Sequence, residues 1–166
     1  MLDIFKNRCS VRNYTDQEVS KEDVLTICKA GLSGPSGKGL YPLHLLVVRN
    51  KDLLFKLSKA RTHGSSMLEN AQACVIVLGK TDVDTWIEDC SVCMTNMSLQ
   101  ATSMGIGSCW IQVRNRNYTD SISTESYIKD LLGIASVYSI EAMLSLGYPE
   151  SVNIKNVDNS DLIIFM

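Results

Sequence analysis

An α+β fold, with a mixed central sheet flanked by helices, is the class this sequence predicts. Three observations carry that expectation. Short apolar runs that read as buried strands ("LHLLVVR", "ACVIVLG", "GSCWIQV") stand among stretches of helical periodicity. Helices and strands do not alternate strictly, which separates the chain from a doubly wound parallel sheet. Neither a G-x-G-x-x-G turn after a first strand nor a G-x-x-x-x-G-K-[ST] loop occurs. "GPSGKGL" has glycines and a lysine, but at another spacing and ahead of a strand rather than a helix.

Taken in order, the chain opens on "NRCSVRNY", where Arg8, Ser10 and Arg12 alternate and share one side of an extended backbone. "SKEDVLTICKAGLSG" reads as a helix capped by Ser20 with Asp23 at its third position. Val24, Ile27, Cys28 and Gly31 line its apolar stripe, and Gly34-Pro35 stops it. Residues 43–49 form a strand after Pro42, "KDLLFKLSKA" returns to helical spacing, and residues 73–79 form a second buried strand. The longest helix runs from about Thr85 to Met104, with Asp89, Cys93, Asn96/Met97, Gln100/Ala101 and Met104 on one face and Gly105 as its stop. A third strand covers 107–113. "STESYIKDLLG" is a capped helix ending at Gly133, 140–147 is a strand stopped by Tyr148-Pro149, and "DLIIF" is a last apolar run.

The chain has 166 residues, enough for one domain with a substantial core or for half of an intertwined dimer. A net charge of −2, with both signs dispersed, argues against nucleic acid or an anionic membrane surface as a general partner. No apolar run approaches the roughly 20 residues of a membrane-spanning helix. Asp3 and Lys6 interrupt the first apolar stretch, so no secretory signal is expected there and a cytoplasmic location is. The six cysteines lie mostly in apolar segments, where a free thiol acts as a small hydrophobe. Cys90 and Cys93 make a C-x-x-C, but there is no second pair, and His44 and His63 are remote. Structural thiols and no metal site are therefore expected.

On residue types alone, Arg8, Ser10 and Arg12 suit either a phosphate, through charge-assisted hydrogen bonds, or a solvated basic edge. Met94, Met97, Ala101 and Met104 suit a core or an interface. Four fragments then stand in a telling order: "RCSVRNY", "GPSGKGLYPLHLLVV", "EDCSVCMTNMSLQATSMGIGSCWIQ" and "LSLGYPE". From Phe5 to about Pro149 this set resembles the FMN-dependent nitroreductase family in its short, minimal form.

The resemblance implies one nitroreductase-like FMN-binding domain over 1–166 and an intertwined homodimer with FMN at the subunit interface. Arg8, Ser10 and Arg12 would then grip the ribityl phosphate and the pyrimidine edge. Cys9 stands where a basic residue or histidine is usual. Pro35, Ser36 and Gly37 match the family's P-S-x-x-N-x-Q-P-W turn, which approaches the flavin held mainly by the other subunit. Gly39 replaces its asparagine, Tyr41 its glutamine and Leu43 its tryptophan. Backbone donors to flavin N5 would fall at Gln112 and Val113, with Ser108 upstream. Lys155 stands near the family's basic pair, as a phosphate ligand or a solvated lysine. "DLIIF" would be the strand laid across the partner's sheet.

No side chain is catalytic on this reading. FMN accepts a hydride at N5 from NADH or NADPH and passes electrons to a nitroaromatic, quinone or similar flat acceptor, in a ping-pong cycle. Two alternatives stay open: a non-enzymatic protein that stores or senses FMN, suggested by the altered "GKGLY" loop, and a thiol redox protein built on Cys90 and Cys93.

Overall fold

Two long apolar strands, each buried along nearly its whole length, force the sheet to be covered on both faces. The protein, a computed structural model, is described over residues 2–154 and 159–166. Strands β1 (Leu43–Val48), β2 (Ala73–Lys80), β3 (Gly107–Gln112) and β4 (Tyr138–Gly147) form one sheet in the order β1-β2-β4-β3, every neighbour antiparallel. An isolated parallel bridge, Ser10 to Ser108, adds the N-terminal segment outside β3 and gives the pairing its mixed character.

Alternation along β2 assigns the faces. Val75 and Val77 join Ala142 and Leu144 against helices α2 (Lys21–Leu32) and α4 (Trp86–Ser103). Ile76 joins Ile111, Met143, Leu54 and Ile128 on the opposite face, under α3 (Lys51–Ser58) and α5 (Thr124–Leu132). Helices α2 and α4 touch closely because Gly31 lacks a side chain: a Cβ there would lie 2.6 Å from Met97 Cγ and 2.8 Å from Cys93 Sγ. The caps are those the sequence announces. Ser20 Oγ accepts the Asp23 amide at 3.0 Å, and Ser123 Oγ accepts that of Ser126 at 3.0 Å.

Two features differ from expectation. Leu2–Asn7 forms a short helix, α1, too brief to show a periodic stripe. The C-terminal "DLIIF" makes a 3₁₀ turn at Ser160–Leu162 and then runs on exposed, with Phe165 at 92%.

Tyr14 ties the N-terminal segment to the sheet. Its buried hydroxyl donates to the Val11 carbonyl at 2.7 Å and shares a 2.7 Å hydrogen bond with Ser145 Oγ of β4. On either side, Val11 N–H donates to the Ser108 carbonyl at 2.9 Å and Thr15 N–H to that of Tyr148 at 2.9 Å. Burial drives the Tyr14 phenol well above its ordinary value, so it stays a donor. Replacing it, Tyr14→Phe, strands the Val11 carbonyl and should cost about 1–3 kcal/mol of stability in chemical denaturation. An unchanged midpoint would show the hydroxyl to be dispensable.

Candidate cofactor site

At β3 the sheet ends on a strand whose outer edge is only partly paired. In an antiparallel strand the N–H and C=O of alternate residues face opposite neighbours. Val113 N–H donates inward to the Glu141 carbonyl at 3.2 Å, whereas the Ser108 carbonyl accepts outward from Val11. Ser108, Trp110 and Gln112 therefore turn their backbone groups to the outer edge. The segment that caps this edge engages Ser108 only. Of the two donors expected for a flavin, Gln112 faces the open edge. Val113 does not, since its odd position turns its amide back into the sheet, and that expectation is corrected.

Beside the capped end, the predicted alternation is present: Arg8, Ser10 and Arg12 are exposed, Cys9 is half-buried and Val11 is buried. Arg12 Nη1 donates to the Ser10 carbonyl at 3.3 Å. Among the described residues, neither Arg8 nor Arg12 has an acidic side chain within ion-pair distance. Ser10, Arg12, Ser151 and Asn153 line a cavity of about 170 Å³. A second cavity of about 250 Å³, mostly apolar, adjoins it across Cys9 and Val11 and reaches Thr102, Ile106 and Val152. The cationic field is felt nearby: burial raises the Cys109 thiol, while Arg12, the Ser10 hydrogen bond and Arg8 pull it back. Lys155 lies outside the described residues. Ser151 and Asn153, which sequence reading passed over, line the cavity from the C-terminal side; nothing in "ESVN" distinguishes them from an ordinary polar loop.

The "GPSGKGLY" loop is anchored at the start of α4. Ser36 Oγ donates to Asp89 Oδ2 at 2.7 Å, and Gly37 N–H to Asp89 Oδ1 at 3.0 Å. Ser36 Oγ in turn accepts the Tyr41 amide at 2.8 Å, and Lys38 pairs with Asp84 at 3.0 Å. Gly37 is required by close approach, because a Cβ would fall 2.3 Å from Thr85 Oγ1. Lys38 and Tyr41 hold left-handed backbone angles, φ 55° and 45°, which side chains adopt only under constraint. Tyr41 is 56% exposed, and nothing lies within 4 Å of where a Cβ on Gly39 would sit. Asp89, placed by periodicity on the apolar face of α4, is the loop's anchor.

One chain does not bring the loop and the arginines together. Between Asp89, which holds the loop, and Thr102, beside the cavities, α4 rises about 20 Å. The loop also feeds β1, at the sheet edge opposite β3, three strand spacings or about 14 Å away.

With this geometry in view, comparison with known proteins is informative. The family model described as the nitroreductase family matches residues 5–64 and 55–148. An FMN-dependent nitroreductase from Clostridium difficile R20291 is 42% identical, superposes with a TM-score of 0.91, and is covered over 94% of its chain and 97% of this one. A protein of Archaeoglobus fulgidus named NADH dehydrogenase/NAD(P)H nitroreductase is 37% identical over 90% of this chain and 85% of its own. A structure of a similarly named protein from Parabacteroides distasonis is 26% identical with a TM-score of 0.90, covering 99% of this chain and 96% of that one.

Of the six cysteines only Cys9 lines these two cavities. Burial pushes the Cys90 and Cys93 thiols up to about 12 and that of Cys28 to about 11. Thiolate, the reactive form, is thus suppressed at Cys90 and Cys93 near neutral pH. Among the described residues no group of three His, Cys, Asp or Glu side chains could hold a metal ion. At pH 8 a thiol reagent should label Cys9 well before the other cysteines, and all six only in denaturant. Rapid labelling of Cys90 or Cys93 in the folded protein would revive the thiol reading. Unfolded thiols ionise near pH 9 and these folded ones near 12, so their contribution to stability is intact below pH 9 and falls as pH rises between the two.

Proposed function

The chain belongs to the nitroreductase family, and from that premise we propose that it is an FMN-dependent oxidoreductase using NADH or NADPH. One observation carries the reading: the open backbone edge at Trp110 and Gln112 continues directly from two arginines that have no acidic partner among the described residues. The first is a row of hydrogen-bonding groups for a flat heterocycle, the second a seat for a dianion.

Bound FMN would supply two-electron chemistry between NADH or NADPH and a nitroaromatic, quinone or similar flat acceptor, in a ping-pong cycle. The protein's residues bind and orient. Arg8, Arg12 and Ser10 hold the phosphate, with the Ser151–Asn153 side closing the cavity. Gln112 offers its outward N–H to the ring, a fixed donor where negative charge develops on reduction. Cys9 packs between the two cavities.

A second copy completes the site. The "GPSGKGLY" loop lies too far from its own chain's arginines, so the loop of one protomer covers the ring held by its partner. The exposed apolar tail, Ile163 to Met166, fits the same arrangement, since a monomer would leave it in water. Light scattering should give twice the 18.4 kDa chain mass, and a stable monomer that binds FMN would overturn this part.

Purified protein should show the oxidised-flavin band at about 450 nm, bleached by NADH or NADPH and restored by a quinone. Binding without bleaching would favour the storage or sensing reading. Arg8→Ala or Arg12→Ala removes a charge-assisted bond and should weaken FMN binding about 10- to 100-fold. Riboflavin, which lacks the phosphate, should be affected far less. Equal losses for both ligands would mean a folding defect, and no loss for either would return the arginines to a solvated edge.

A further inference from the structure

Glu141 is a carboxylate in the middle of a buried strand, flanked by the buried, apolar Ile140 and Ala142. The β2–β4 pairing steps over it: Val77 faces Ala142 and Leu78 faces Ile140, so Glu141 is the extra residue of a β-bulge. Bulges re-aim a side chain. Here the side chain is 3% exposed, and every polar atom it offers is engaged on the β3 side. Its Oε1 accepts from Gln112 Nε2 at 3.0 Å and its Oε2 from Arg114 Nε at 2.6 Å. Its carbonyl accepts from Gln112 Nε2, Val113 N–H and Arg114 N–H. Gln112 Oε1 accepts in turn from Trp110 Nε1 at 2.9 Å.

A buried carboxylate is costly unless paired, and an apolar residue would fill the same position more cheaply. What the charge adds is a fixed Gln112. Both ends of its amide are held, by Trp110 and by Glu141, on the strand whose outward N–H meets the open edge. It also places a balanced pair of charges, Glu141 and Arg114, one side chain behind that edge.

We propose that Glu141 is a positioning residue for the flavin ring and that Glu141 and Arg114 each bias the ring's reduction potential, in opposite directions. This rests on the FMN reading above. The reduced ring carries negative charge at neutral pH, so the two members of the pair act on it with opposite sign. Glu141 disfavours the reduced form, Arg114 favours it, and together they nearly cancel.

The test is the reduction potential of bound FMN in the full-length protein, measured by dye-equilibrated titration, with FMN affinity measured alongside. Glu141→Gln keeps the shape and one of the two acceptor oxygens but leaves Arg114 unopposed. It should favour reduced over oxidised flavin about tenfold, a shift of about 30 mV upward for a two-electron couple. Arg114→Gln should shift the potential downward by a similar amount. Opposite shifts support the proposal, since general loosening of the site would move both variants the same way. Potentials that do not move, or that move together, overturn it while the flavoprotein reading stands. A parent protein that takes up no FMN removes that reading and the proposal with it. Should Glu141→Gln fail to fold, Arg114→Gln, at a partly exposed side chain, decides alone: no downward shift overturns the proposal.

Discussion

An unfinished sheet edge governs the rest of this molecule. β3 ends the sheet, and an edge strand leaves a row of N–H and C=O groups that must find partners. The N-terminal segment supplies one, through Val11 and Ser108, and then diverges. Its path is held by Tyr14, whose hydroxyl reaches both Val11 and Ser145. Because the segment leaves β3 so early, the backbone at Trp110 and Gln112 stays open, and Arg8 and Arg12 are delivered to the near end of the gap. One pairing therefore sets both the polar edge and the charge beside it.

The long helix α4 separates the two halves of the candidate site. Its first turns hold the "GPSGKGLY" loop through Asp89, and its last turns border the cavities next to Cys9 and Val11. A rigid rod of about 27 Å keeps the halves apart within a chain. Within one chain the helix holds the halves apart; an isologous pair would bring each loop to the other's arginines.

Much of this was legible in the sequence because it is local. Helix caps at Ser20 and Ser123, the β2 and β4 runs and the alternation of Arg8, Ser10 and Arg12 depend on neighbours a few residues away. What was not legible depends on pairing. Whether Gln112 or Val113 faces outward is decided by which partner β3 has on each side, and no pattern within "GSCWIQV" records that. Glu141 inside "IEAMLSLG" looks like a blemish in a strand until the β2 register exposes the bulge. Asp89 was assigned to a helix face correctly, but its ligands, Ser36 and Gly37, are far off in the chain.

The loop shows the same division on a smaller scale. Pro35, Ser36 and Gly37 keep the family pattern, and Ser36 and Gly37 are the residues bound to Asp89, with Gly37 pressed on Thr85. The departures fall at Gly39, Tyr41 and Leu43: the first is open space, the second an exposed ring, and the third opens β1. Tyr41 is nonetheless fixed, since its amide is held by Ser36 in a left-handed conformation that costs energy to maintain. The anchor preserves where the loop goes, and the substitutions change what it presents there: an aromatic surface and a vacant position in place of two amide side chains. On the proposed function such a loop would alter which flat acceptor fits over the ring, while the phosphate seat at the other end of α4 would be left unchanged.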